Sequence, residues 1–390
     1  MITDPTAVFF VLAAVVWVAV VLEARFAVFR SVGSAFLSIA LGLVLSNAGV
    51  IPGTSPAYDF LVGPAVSAGI VLILLSVDFR TVMKAGPTML AAFGIGALGT
   101  AVGATVGAFL LRGGVGPETW KLAGQYTATY TGGGANFAAV GAALDTSGEL
   151  FAAGIAADVI ITGVWLMVCL MAPVLFARTG REEAAAPSPH AAPGSTPVAA
   201  VEDEESGGLQ ERLYAAVGSV RLTDLGALAT IVLGCLWVSG WLGERFPLPS
   251  VIWLTTLALL LAQIPRVQGI RGAAVVGNYL ILIFLASNGA KSVVANIVAL
   301  GPSVVYFALV TVAIHGVIIF GIGRLVGLDL RTLAVASQAN IGGPASAMAI
   351  ATARGYTDKL LPGVAVGLLG YAVGNYIGLA VAAGLEGVLG

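Results

Sequence analysis

Long apolar runs, each close to the ~20 residues a helix needs to cross a bilayer, dominate this chain. They fall at about 7–22, 33–50, 57–77, 86–111 and 148–177, and again at about 223–241, 248–263, 273–289, 302–323 and 360–385. The pattern predicts ten transmembrane helices in two sets of five. Between the fourth and fifth run of each set lies an apolar stretch interrupted by glycine, at about 119–145 and 331–354. Its two glycine strings, TGGGANFAAVGAAL from Thr131 and IGGPASAMAIATAR from Ile341, align without a gap. Gly132 falls on Gly342, Gly133 on Gly343, Gly134 on Pro344 and Asn136 on Ser346. The stretch 178–222 breaks the pattern with AAAPSPHAAPGSTPVAAVEDEES. It has too little apolar surface to bury and predicts a disordered linker. The expected organisation is a first repeat over 1–177, a linker over 178–222 and a second repeat over 223–390.

Charge decides how the broken segments run. If each enters the membrane and returns as a hairpin, and the N-terminus is outside, most of the 18 Lys and Arg residues fall in cytoplasmic loops. Only Arg112, Lys121, Arg245 and Lys291 then stay outside. If both segments crossed instead, the basic residues would divide almost evenly. The positive-inside rule therefore selects re-entrant hairpins and a cytoplasmic linker. Five spans per half is an odd number, so the second repeat is expected to be inverted relative to the first. An arm of ~12 residues at ~1.5 Å rise reaches ~18 Å, which puts each glycine tip near the middle of a ~30 Å apolar core.

Composition narrows the class. The chain is 58% hydrophobic and 10% charged, with a mean hydropathy of +0.99; soluble proteins carry about 25% charged residues. A water-soluble globule is excluded. Formal net charge is −2, so nothing draws the chain to nucleic acid. Cys169 and Cys235 lie in apolar runs and read as packing residues. The N-terminus, MITDPTAVFF, lacks the basic region of a secretory signal, and the first run is expected to be a retained span.

The glycine breaks focus the chemistry. At a hairpin tip the first arm ends in unsatisfied carbonyls and the second begins with unsatisfied amides. The amide end suits a carboxylate; the carbonyl end, with side-chain oxygens, suits a hard cation. Thr131, Gly132, Gly133, Gly134 and Asn136 in the first half, with Asn340, Gly342, Gly343 and Ser346 in the second, are therefore the expected substrate site. Asp158 is the one carboxylate well inside a predicted span, where an ionisable group is costly and usually functional. With Thr129, Ser337, Gln338 and Asn375 it forms the expected ion set. The bland alternative is a glycine-rich helix crossing whose hydroxyls bond their own backbone. His315, alone on an apolar helix, reads as a packing residue, and Asn278 and Asn288 as helix–helix contacts. Arg80 and Lys291 read as headgroup anchors. No phosphate loop, nucleophile elbow or metal-binding histidine pair occurs, so an enzyme is not expected and no cofactor is implied beyond Na⁺ or H⁺ as coupling ion.

The strings YTGGGANFAAVGAAL and ANIGGPASAMAIA, with Asp158 and Gly374–Asn375–Tyr376, resemble the integral membrane family labelled domain of unknown function 819, the YjcL-like proteins. The arrangement is also similar to the sodium–glutamate and sodium–citrate symporters, whose paired GGxG loops are re-entrant. That resemblance implies inverted repeats, sodium coupling and an elevator movement of a transport domain against a scaffold. The second string here reads Gly342–Gly343–Pro344, a departure from GGxG that leaves the substrate open.

The expectation is an all-α membrane protein with about ten transmembrane helices and two re-entrant glycine-broken hairpins in two inverted repeats. It would be a multi-pass cell-membrane transporter, open to a homodimeric assembly, symporting a small carboxylate-bearing organic solute with Na⁺. A cation/proton antiporter using Asp158 is the alternative, and a channel or membrane-embedded enzyme a remote one. Single cysteines in the linker and near residue 3 of a cysteine-free variant are expected to label from opposite faces of the membrane. Labelling from one face would overturn the span count.

Overall fold

The computed structural model describes residues 2–175, 220–246, 248–292 and 294–390, and among them every regular element is a helix. The expected linker lies outside the described residues as far as 219. In the first half the helices are α1 (Pro5–Arg25), α2 (Ala27–Asn47), α3 (Pro56–Leu74), α4 (Phe79–Met83), α5 (Gly86–Val115), α6 (Thr119–Gly132), α7 (Gly134–Ala143) and α8 (Gly148–Leu175). In the second they are α9 (Leu222–Arg245), α10 (Ser250–Ala262), α11 (Pro265–Gln268), α12 (Ala273–Lys291), α13 (Val294–Leu325), α14 (Leu330–Ala353) and α15 (Thr357–Leu389).

Local chemistry sets several starts. Asp4 accepts a hydrogen bond from Ala7 N at 2.8 Å with Pro5 at the first helical position. Asp329 accepts from Thr332 N at 2.9 Å, so both are side-chain N-caps. In α3, Pro64 cannot donate a backbone bond, and a π-turn over Leu61–Ala65 absorbs the defect.

The protein is an all-α membrane protein. Among the described residues eight helices are long and apolar enough to span a bilayer. Large apolar side chains point outward from them, including Trp17, Leu110, Trp237 and Val317. The two remaining expected runs, at about 33–50 and 248–263, hold shorter apolar helices, Gly33–Asn47 and Ser250–Ala262. Gly33, at φ 81°, interrupts α2. Pro249 and Pro265 bracket α10, whose 13 residues cover only ~20 Å at ~1.5 Å rise.

The helices pack as two groups. One contains α1, α2, α3, α9, α10 and α12; the other contains α5, α6, α7, α8, α13, α14 and α15. In the first, α12 lies against α2 and α3, and Val8, Leu12, Tyr58, Leu61 and Ile283 form a core. In the second, α5 crosses α13, and α15 packs on both α6 and α14. Contacts recur between halves: α1 on α2 matches α9 on α10, α2 on α12 matches α10 on α3, and α1 on α12 matches α9 on α3. The α3–α12 crossing pairs Gly69 with Gly277, each facing the other's carbonyl.

Both glycine-broken segments double back. Gly133 between α6 and α7 (φ 91°, ψ 176°) and Gly343 within α14 (φ 76°, ψ −166°) make the turns, in a region only glycine enters freely. At the base of the first hairpin, Ser147 N donates to the Glu118 carboxylate at 3.2 Å, and Lys121 Nζ donates to Asp145 O at 2.8 Å. In the second, the Arg331 guanidinium lies over the Tyr356 ring at 5.4 Å. Burial works to raise the pKa of Glu118, but hydrogen bonds from Lys121 and Ser147 and the Lys121 charge hold it below the ordinary glutamate value. A depressed carboxylate contributes stability at neutral pH and loses it only as the pH falls through its folded-state pKa.

The first hairpin is clamped by a seam of small residues. Gly124, Ala128 and Gly132 on α6 meet Gly378, Gly374 and Gly370 on α15 so closely that backbone touches backbone, the packing that small residues permit in membranes. A Cβ added at Gly374 would stand 2.7 Å from Asn136 Nδ2 and 2.9 Å from Ala128 O, whereas one at Gly384 would meet nothing within 4 Å. Gly374→Ala is expected to cost ~1–3 kcal/mol through overpacking, while Gly384→Ala is neutral or stabilising by up to ~1 kcal/mol. Thermal unfolding in detergent measures both; equal midpoints would show the seam to be slack.

Candidate functional site

The two tips meet. A Cβ built on Gly133 would lie 3.9 Å from Gly343 Cα, and one on Gly343 would lie 3.8 Å from Gly132 O. The Tyr371 ring covers both, with Cε1 at 3.5 Å from the first position and 3.6 Å from the second. Gly134, which opens α7, is exposed. Its counterpart Pro344 has no N–H, so the second hairpin offers one amide fewer. The tips are therefore unequal as anion sites.

Asn136 follows the first tip. Its Nδ2 donates to Tyr371 O at 3.1 Å and to Asn375 Oδ1 at 2.9 Å, and Asn375 Nδ2 donates to Thr255 Oγ1 at 3.4 Å. A cavity of about 10 Å³ lies beside it, between Ala135, Ala139, Tyr371 and Asn375 on one side and Ile70, Ile73 and Leu74 of α3 on the other. This cavity sits on the boundary between the two helix groups. In this state it has room for about one water-sized particle.

Unsatisfied polarity concentrates here. Among the described residues, ten buried side-chain polar atoms close no hydrogen bond, and seven of them belong to the hairpins: Gln125 Oε1, Tyr130 OH, Thr131 Oγ1, Asn136 Oδ1, Gln338 Oε1 and Nε2, and Asn340 Oδ1. Each such atom costs ~1–3 kcal/mol, so their clustering needs a reason, and a binding site supplies one. Thr127 behaves differently, donating to Ala123 O at 2.8 Å, as the bland reading expects.

The structure divides the expected site residues. Thr131, Gly132, Gly133, Gly134 and Asn136 share the first tip, and Gly342, Gly343 and Ser346 the second, where Ser346 Oγ donates to Gly343 O at 3.1 Å and Gln338 O at 3.3 Å. Asn340 points away from the tips, donating to Phe93 O at 3.3 Å on α5. Thr129 does meet Asp158, with Oγ1 donating toward Oδ2 at 3.5 Å. Asn375 is bonded instead to Asn136, and Ser337 to Trp165 and His315. Gln338 lies beside Gly342.

A buried chain of hydrogen bonds links both hairpins through α5 and α13. Trp165 Nε1 donates to Ser337 Oγ at 2.9 Å, and Ser337 Oγ lies 2.9 Å from His315 Nε2. His315 Nδ1 lies 2.9 Å from Gly96 O and 3.0 Å from Thr100 Oγ1, and Thr100 Oγ1 donates to Tyr130 O at 2.9 Å. Thr100 has already given its proton and Gly96 O can only accept, so Nδ1 carries the imidazole hydrogen and Nε2 accepts from Ser337. The tautomer is assigned from the network. Sequence reasoning placed His315 as a packing residue and passed over Tyr371, Trp165, Thr100 and Thr162. Tyr371 had one legible signal: it stands four residues before Asn375, on the same helix face.

The DUF819 family, described as proteins of unknown function, matches residues 6–387 of this chain. The chain belongs to that family. It is also similar to the uncharacterized membrane protein YjcL of Bacillus subtilis (strain 168), with 30% identity over 381 residues, 93% of each chain.

The hydrogen-bond chain makes a stability prediction. Ser337→Ala strands the Trp165 indole N–H and His315 Nε2 and is expected to cost ~1–3 kcal/mol for each group left unpaired. Ser38→Ala removes a buried hydroxyl that closes no bond and is expected to be neutral or stabilising. Thermal unfolding of the two variants compares them; equal midpoints would deny the network its role.

Proposed function

We propose that this member of the family is a secondary active transporter of the elevator type, which symports a small carboxylate-bearing organic solute with Na⁺ across the cell membrane. It is a carrier and not an enzyme. The observation that carries this reading is the meeting of two glycine-broken hairpins, one from each half, among buried polar atoms that lack partners. Paired helix breaks at corresponding positions of two halves mark binding sites in secondary transporters. The reciprocal packing of the halves supports an inverted repeat.

The two helix groups suit a moving part and a frame. Polar contacts across their boundary include Tyr376 OH with Thr256 Oγ1 at 2.8 Å and Ser292 Oγ donating to Gly148 O at 2.9 Å. Around the cavity, the boundary is apolar on the α3 side. A greasy boundary with few directional bonds lets one body slide along the other at low cost. The solute's carboxylate would lie at the exposed start of α7, where Gly134 opens the helix and the helix dipole favours an anion. Thr131 and Asn136 supply side-chain contacts from the first tip, and Gly343 and Ser346 approach from the second. An antiporter would need no such solute pocket.

A thermal-shift screen of amino acids, dicarboxylates and small peptides, with and without Na⁺, finds the solute, because a ligand of the folded state raises its stability. With the solute so identified, Gly133→Leu and Gly343→Leu are expected to abolish Na⁺-driven uptake into proteoliposomes while folded protein remains in the membrane. Unaltered uptake by either variant would reduce the motif to a packing element.

A further inference from the structure

Asp158 is buried on α8, and among the described residues no basic side chain compensates its carboxylate. An unpaired charge in such a place is costly. The hydroxyls around it do not close normal bonds. Thr129 Oγ1 stands 3.5 Å from Oδ2 and Thr162 Oγ1 stands 3.4 Å from Oδ1, whereas a hydroxyl bonded to a carboxylate closes to ~2.5–2.7 Å. The Tyr130 hydroxyl, fully buried, faces the same carboxylate and closes no hydrogen bond.

These spacings have a simple reading. Oxygens around a Ca²⁺-sized ion lie ~2.3–2.6 Å from it, so octahedral neighbours stand ~3.3–3.7 Å apart. Na⁺ has nearly that size; K⁺ spreads its oxygens further. The arrangement follows from the chain. Asp158 and Thr162 are one turn apart on the same face of α8, while Thr129 and Tyr130 lie in the last turn of α6, just before the Gly133 break. One carboxylate among neutral hydroxyls balances one positive charge, and among the described residues no group of three or more His, Cys, Asp or Glu could hold a metal of higher charge.

We propose that Asp158, Thr129, Tyr130 and Thr162 form an oxygen cage for a dehydrated monovalent cation, Na⁺ by size. The cage deepens the symport reading, on which its biological role rests, but its occupancy can be measured alone. It keeps Asp158 and Thr129 from the ion set expected from sequence, and puts Tyr130 and Thr162 in place of Asn375, Ser337 and Gln338. Because Thr129 and Tyr130 are in the arm that ends at the first tip, a cation here would hold that tip in one position and so favour solute binding. Solute and cation then raise each other's affinity by the same factor.

The test is the Tm of the purified full-length protein, titrated with NaCl against KCl and choline chloride at constant ionic strength and two pH values, with no solute present. NaCl should raise Tm saturably and more than the other salts. Asp158→Asn should abolish the Na⁺-specific rise, and Thr162→Val and Tyr130→Phe should each raise the Na⁺ midpoint by about tenfold, the effect of one lost contact of ~1.4 kcal/mol. Thr162→Ser keeps the oxygen and should keep the midpoint. If Asp158→Asn does not fold, the Thr162 and Tyr130 variants decide. No Na⁺-specific rise, or midpoints that ignore these variants, overturns the cage, as does a Tm that follows pH but not Na⁺, which would make Asp158 a proton carrier. Na⁺ binding that follows the variants without Na⁺-driven uptake upholds the cage and overturns the transport reading. Na⁺-driven uptake with a midpoint indifferent to them overturns the cage alone.

Discussion

A helix broken inside an apolar slab exposes backbone groups that no surrounding solvent can satisfy, and the rest of this structure is arranged around that constraint. Gly133 and Gly343 break two helices, and the breaks are set against each other under the Tyr371 ring. They can come so close because α15 meets α6 along glycines at Gly370, Gly374 and Gly378. The seam places backbone where side chains would otherwise stand, so the tips are held by shape. Dispersion at short range does this work, since lipid offers no hydrophobic force to drive one helix onto another.

The hairpins are also joined at a distance. The hydrogen bonds from Trp165 through Ser337, His315 and Thr100 to the Tyr130 carbonyl run from one hairpin to the other across the α5–α13 crossing. The His315 Nδ1 hydrogen is shared between Gly96 O and Thr100 Oγ1, and the chain has one direction because Gly96 O cannot donate. A neutral imidazole does here what no aliphatic residue could: it accepts from one hairpin's serine and donates to Gly96 O and Thr100 Oγ1 on α5, and Thr100 in turn donates to the other hairpin's Tyr130 carbonyl. Cores with satisfied polar networks gain specificity of arrangement. Polar groups nearer the tips are left unsatisfied instead, and the contrast separates scaffold from site.

The two halves are similar in path and different in chemistry. Gly134 has Pro344 as its counterpart, so the first tip keeps an amide that the second lacks. Asn136 pairs with Asn375 on the α3-facing side of the site, whereas Asp158 faces hydroxyls from α6 and its own helix. The two breaks face each other from corresponding positions of the halves, and the different residues around them make the tips unequal. The unpartnered polar atoms closest to the breaks, Thr131 Oγ1 and Asn136 Oδ1, belong to the first tip, while the second contributes mainly close backbone and the Ser346 brace.

The all-helical class, the approximate span limits and the two breaks were legible in the sequence, because hydrophobic run length and glycine register are local properties of the chain. The breaks fall at Gly133 and Gly343, aligned as the strings aligned. Basic residues at loop ends selected doubling back over crossing, and the bases at Glu118–Ser147 and Arg331–Tyr356 take that form. Asp158 was legible as a costly charge, and Thr129 as its neighbour by proximity to the break. What tertiary structure alone decided is which polar residues share a site. Nothing in the spacing of Asn375 says that it turns to Asn136, or that Ser337 is taken by His315 and Trp165. The physical reason is the same in each case. Periodicity tells a side chain which face of its own helix it occupies, but the partner on that face is set by how helices distant in sequence cross.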